Sequence, residues 1–185
     1  MEQIGIILFI LTSFLGIKEG QIAAEKTTVT IDVQNKKIDI IQEHLFTVIE
    51  SEKDVTLILD QWDKMYNSIG KNTTWSEQLD DFSDKRLTVF SKQNILQSHI
   101  ILNYSEEADL QVFGIWYNSE NNQFSIHDTP QNNIKTTEGK LNGMYWTFSG
   151  DTSFSFSLEP FLQMPTKYQD NKRYISDLLL QATKE

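Results

Sequence analysis

His127-Asp128, just ahead of a turn at Pro130, sets an imidazole beside a carboxylate, the pairing that orients a general base. Neighbours along a strand point to opposite faces, so the two side chains are not expected to touch if this segment is extended. His44 and His99 lie far away in sequence, and three histidines without an i, i+4 pair give no metal signature. Glu77, Asp80, Asp81 and Asp84 recur at helical spacing, but carboxylates on a helix lack the chelating loop that hard cations use. They read as a solvated stripe, and Glu106-Glu107-Ala108-Asp109 reads as a polar turn. Ser68-Ile69-Gly70-Lys71 has the Ser-x-x-Lys spacing of penicillin-interacting enzymes, yet it falls at the end of an expected helix and lacks Ser-Asp-Asn. No Gly-x-Ser-x-Gly, phosphate-binding glycine loop or dinucleotide fingerprint is present. No catalytic residue, metal or cofactor is assigned.

Strand faces give a different hint. In Phe154-Ser155-Phe156-Ser157-Leu158 the apolar residues point one way and the serines the other. In the segment 110–117, Leu110, Val112 and Trp116 share one face while Phe113, Ile115 and Tyr117 share the other, so both faces need covering. In a closed core, helices would cover one face and the opening hairpin or sheet curvature the other. The functional reading is a concave apolar site lined by Trp116, Tyr117, Met144 and Trp146, with His127 nearby. A protein-binding face is the other expression of the same aromatics.

The elements that would position these residues follow from periodicity. Val29, Ile31 and Val33, then Ile38 and Ile40, alternate with polar neighbours around Gln34-Asn35-Lys36 and predict a β-hairpin. From Ser51 the period becomes helical, with Val55, Ile58, Leu59, Trp62, Met65, Tyr66 and Ile69 on one face and Gly70 as the stop. Thr74 and Glu77 form a capping box for a second helix, faced by Trp75, Leu79 and Phe82. Strands are expected at 87–90, 98–104, 110–117, 124–126, 134–137, 144–148 and 154–158, separated by turn-forming residues. A last helix is expected from 167 to 182, capped by Thr166 and Gln169. The fold class is α+β: an N-terminal hairpin, two helices, an antiparallel meander of about six to seven strands, and one C-terminal helix packed on one face. At the level of topology alone this order resembles the helix-grip fold, which implies a curved sheet, a C-terminal helix and a ligand cavity between them.

Composition narrows the function. With 26 acidic and 16 basic residues, a net charge of −10 opposes nucleic acid and anionic lipid as partners. The absence of cysteine removes thiol nucleophiles, thiolate zinc sites, iron–sulfur clusters, disulfide scaffolds and attachment through a lipidated cysteine. The uncharged run from Ile4 to Ile17 followed by Lys18-Glu19-Gly20-Gln21 has the layout of a secretory signal ending near Ala24. Its start lacks a basic residue and its end lacks a clean small-x-small site. Residues 1–24 are therefore expected to be a signal peptide and 25–185 one domain. The expected location is extracytoplasmic, periplasmic or secreted, in a bacterium. The expected function is non-enzymatic binding of a small apolar ligand or a protein partner. One alternative is a cell-envelope enzyme using His127 or a carboxylate, and the other is a structural component held at the membrane by an uncleaved 4–17 segment.

Overall fold

A computed structural model describes residues 21–66, 75, 77–130 and 132–182. Strands β1 (Ala23–Asp32) and β2 (Lys37–Val48) form the expected hairpin. Asp32 closes its turn by accepting the Asn35 backbone N–H at 3.1 Å, and Lys36 takes the left-handed conformation there. Helix α1 (Glu52–Tyr66) begins where Asp54 accepts the backbone N–H groups of Glu50 and Ser51 at 2.9 and 2.7 Å. Those amides hold the Asp54 carboxyl below its usual range. Ile58 and Trp62 are buried, as the helical period requires, while Gly70 and the Ser68–Lys71 spacing lie outside the described residues.

Strands β3 (Ser83–Lys92) and β4 (Ile95–Asn103) turn on Gln93-Asn94, both at positive φ, the geometry that matches a two-residue hairpin to strand twist. Short strands follow: β5 (Ile115–Asn118), β6 (Gln123–His127), β7 (Lys140–Asn142), β8 (Tyr145–Ser149) and β9 (Phe154–Leu158). The chain continues through α2 (Thr166–Asp170), β10 (Lys172–Tyr174) and α3 (Ile175–Ala182). The class is α+β, with all ladders antiparallel among the described residues.

The strands form two sheets rather than one meander. The larger has the order β3-β4-β2-β1-β9, with β10 added beside the far end of β2, and the smaller has the order β5-β6-β8-β7. Between them lies the main core, in which Val29, Ile31, Ile38, Ile40, Ile100 and Leu102 meet Ile115, Phe124, Ile126 and Phe148. Phe148 stacks on Phe154 at 4.3 Å, tying the small sheet to β9. A second cluster joins Leu45 to Ile58 and Trp62 of α1 and to Ile175 and Leu178 of α3, and a third joins Phe46 and Val48 to Met164. These clusters cover both sides of the β2 end, which explains its unbroken buried run from Leu45 to Val48.

Several segments depart from their periodicity. The 110–117 segment is not one two-faced strand: Glu107–Phe113 is a 3₁₀ helix, and only Ile115 onward is extended. The acidic cluster at 106–109 is the cause, because Asp109 accepts the backbone N–H groups of Ser105 and Glu106 at 2.9 Å each. Gly114, at φ 71°, closes the turn in a conformation that disfavours a side chain. Leu110 and Phe113 therefore reach the core together, three residues apart on a helix. The expected second helix is a single 3₁₀ turn at Glu77–Leu79, where Leu79 is buried, as is Phe82 just beyond it. Thr74 of its capping box lies outside the described residues. Residues 134–137 contribute a lone bridge, Lys135 with Ser157, and β7 pairs where no strand was expected. The expected C-terminal helix is broken, because 172–174 satisfies its backbone on β2 instead. Its helical start lies after Pro165, with no side-chain cap, and Gln169 donates to the Met164 carbonyl. A single long helix inside a wrapped sheet, as the helix-grip likeness implied, is thus not formed.

Candidate functional site

In the small sheet, inward and outward residues separate by strand alternation. Ile115 lies across from Ile126, and Phe124 from Phe148, all facing the core. Trp116 lies across from Ser125, which lies across from Thr147, and His127 lies across from Tyr145; this row faces outward. Trp116 is 50% exposed and Tyr145 44%, so the outer face carries two large aromatics in water. His127 packs edge-on against Tyr145, with ring centroids 5.1 Å apart.

The five expected site residues divide between the two faces. Trp116 and His127 are on the outer face. Met144, 62% exposed, sits in the β7–β8 turn at its rim, next to Gly143 at φ 61°. Tyr117 and Trp146 point inward. Tyr117 packs on Phe124 and donates its hydroxyl hydrogen bond to Asn122 Oδ1 at 2.9 Å. Trp146 packs against the main core and donates its Nε1–H to Asp128 Oδ1 at 3.2 Å. Asp128 is therefore engaged by an indole and not by His127. Tyr145 was missed, because only the register of β6 against β8 brings it beside His127.

The platform is held at its edges. Asn122 takes the Gly150 backbone N–H at 2.8 Å and donates to Asp151 at 2.7 Å, joining the β5–β6 turn to the end of β8. A Cβ on Gly150 would lie 2.0 Å from Asn122 Oδ1, so that close approach needs glycine.

A second constellation lies in the large sheet. Glu25 Oε2 lies 2.6 Å from His44 Nδ1, and Glu25 Oε1 accepts hydrogen bonds from the Lys172 ammonium and, at 2.8 Å, from the Tyr174 hydroxyl. Partial burial pushes the Glu25 carboxyl up, but the bonds from Lys172, His44 and Tyr174 outweigh it and hold it below its ordinary value. Tyr174 is pushed up to about 12 by burial and by the adjacent Glu25 charge. The Lys172 ammonium lies over the Phe46 ring at 4.6 Å. His44 holds φ 58° inside a strand, an uncommon conformation for a residue with a side chain. Glu43-His44 had the same local signature as His127-Asp128, yet the partner that matters, Glu25, comes from the neighbouring strand.

A third pair, His99 with Asp39 at 2.8 Å, lies across the larger sheet. Among the described residues no serine or threonine hydroxyl bonds either imidazole, so both pairs orient a base without a nucleophile. Nor do the described residues include a group of three or more metal-ligating side chains or a helix long and apolar enough to cross a membrane. The acidic residues Glu77, Asp80, Asp81 and Asp84 are exposed. The chain matches no family model, no curated protein and no solved structure in comparison.

Proposed function

We propose that this chain is an exported, non-enzymatic binding protein whose working surface is the outer face of the small sheet. The observation that carries this reading is the placement of Trp116 and Tyr145, half-exposed and outward on one four-stranded sheet, with Met144 at the rim. Single exposed apolar residues are ordinary, but a group on one rigid face is what recognition surfaces are made of. Because Trp116 and Trp146 point in opposite directions, the reading favours contact on a surface over enclosure of a small apolar ligand between them. The test is capture: immobilised wild-type protein and the Trp116→Ala and Tyr145→Ala variants are exposed to one cell-envelope extract. Wild type should retain a component that each variant retains at least tenfold less. Equal retention by all three would defeat the reading.

Export rests on the Ile4 to Ile17 segment. Ile22, Ala23 and Ala24 are buried, and Ala23 and Ala24 pair with Phe46 and Leu45. Cleavage after Ala24 would remove those contacts, so the reading places any processing upstream of Ile22. Intact mass of the envelope-fraction protein should show a first residue no later than Ile22. A first residue of Glu25 would contradict this.

A further inference from the structure

We infer that the ligand of the outer face is carbohydrate, a short run of uncharged sugar units lying across the small sheet; this rests on the binding reading above. The outer face is nearly free of fixed charge. Its outward positions hold no carboxylate, and the one charge among them is Lys140, in a chain of net charge −10. The large sheet is different, with Lys26 paired to Glu43 and Lys37 near Asp39. A cationic or anionic partner would call for fixed charge on the face that receives it.

What the face holds is aromatic and neutral. Around Trp116, Tyr145 and His127 stand Asn118, Gln123, Ser125, Asn142, Thr147 and Ser149, none of them buried. Amides and hydroxyls donate and accept alike, which matches the hydroxyl rim of a sugar ring. Rigid amphipathic aromatics offer flat area at low entropic cost, which matches the C–H faces of that ring. Trp116 and Tyr145 are two strands apart and two residues out of step, which places their Cα atoms about 12 Å apart at standard sheet spacing. Two rings at that separation grip an extended chain at two points.

Size decides between sugar and protein. Four strands of three to five residues present a footprint of about 300 Å² at standard sheet spacing. A stable protein interface takes about 800 Å² from each partner. The projected face fits a few sugar rings and would be only a small part of a stable protein interface.

The experiment is affinity electrophoresis through gels containing hydroxyethyl cellulose, laminarin, xylan, galactomannan or dextran, with co-sedimentation on chitin. At least one of these should retain the wild type, with Trp116→Ala and Tyr145→Ala each weakening retention at least tenfold. Trp116→Phe should restore part of it, and His99→Ala on the large sheet should leave it unchanged. Because Trp116 and Tyr145 are exposed, melting temperatures of their variants should be unaltered, which separates lost binding from lost fold. Failure of every polysaccharide, or retention indifferent to Trp116 and Tyr145, overturns the inference. If the envelope capture still depends on Trp116 while every polysaccharide fails, the sugar identity falls and the binding face stands. If neither depends on Trp116, both fall.

Discussion

Glu25 binds three side chains, His44, Lys172 and Tyr174, and its removal should be felt at once. Glu25→Gln keeps the shape but leaves the half-buried Lys172 ammonium without its counter-charge, an expected loss of about 2 kcal/mol in urea unfolding. No change in the midpoint would mean the cluster is solvated and idle. Tyr104 is the opposite case. Its hydroxyl is buried with no hydrogen-bond partner among the described residues, and burial beside Glu107 and Asp32 pushes it up to about 12. Tyr104→Phe deletes an orphaned polar atom at constant ring packing and should stabilise the fold by about 1 kcal/mol. A destabilised variant would show that the hydroxyl has a partner after all. Neither residue was legible in the sequence: Glu25 and Lys172 are separated by 147 positions, and nothing in Asn103-Tyr104-Ser105 distinguishes a buried phenol from an exposed one.

At the scale of elements, alternation and turn chemistry were readable where one local rule acted alone. The β1–β2 hairpin and the α1 face follow from period and capping, because in both the local preference and the core agree. The 110–117 segment failed because a capping carboxylate three residues along outranked the strand pattern. The C-terminal helix forms over Ile175–Ala182 but not over the whole expected 167–182, because a long-range backbone edge on β2 was open, a fact stored some 125 residues earlier in the chain. The three-residue strand β10 is held there by few backbone bonds and by Lys172 and Tyr174 reaching Glu25. In hydrogen exchange, Glu25→Gln should therefore lose more protection across 172–182 than across 115–127. Uniform loss over both segments would instead indicate global destabilisation.

For the molecule as a whole, the titrations define a window. Glu25, Asp32 and Asp54 have folded carboxyls held below their usual values, so the stability they contribute is present above those values and lost as pH falls through the lowered ones. Tyr104 and Tyr174 are raised from 10.0 to about 12, so neither phenol costs the fold an ionisation below 10, and stability is lost as pH rises from 10 toward 12. Melting temperature should fall on both sides of these limits, with Glu25→Gln blunting the acid limb and, because the Glu25 charge helps to raise Tyr174, softening the alkaline limb as well. An acid limb unchanged by that substitution would remove Glu25 from the explanation. The class of the fold was legible from element order, and Trp116 and His127 were legible as site candidates, but their common face was not. That face exists only once the register of three strands is set. The most direct measurement is photo-cross-linking in the native cell envelope, with a benzophenone side chain replacing Trp116, Tyr145 or, as a control on the other sheet, His99. Adducts should form from positions 116 and 145 and be absent from 99. Adducts from all three alike, or from 99 alone, would contradict a binding face on the small sheet.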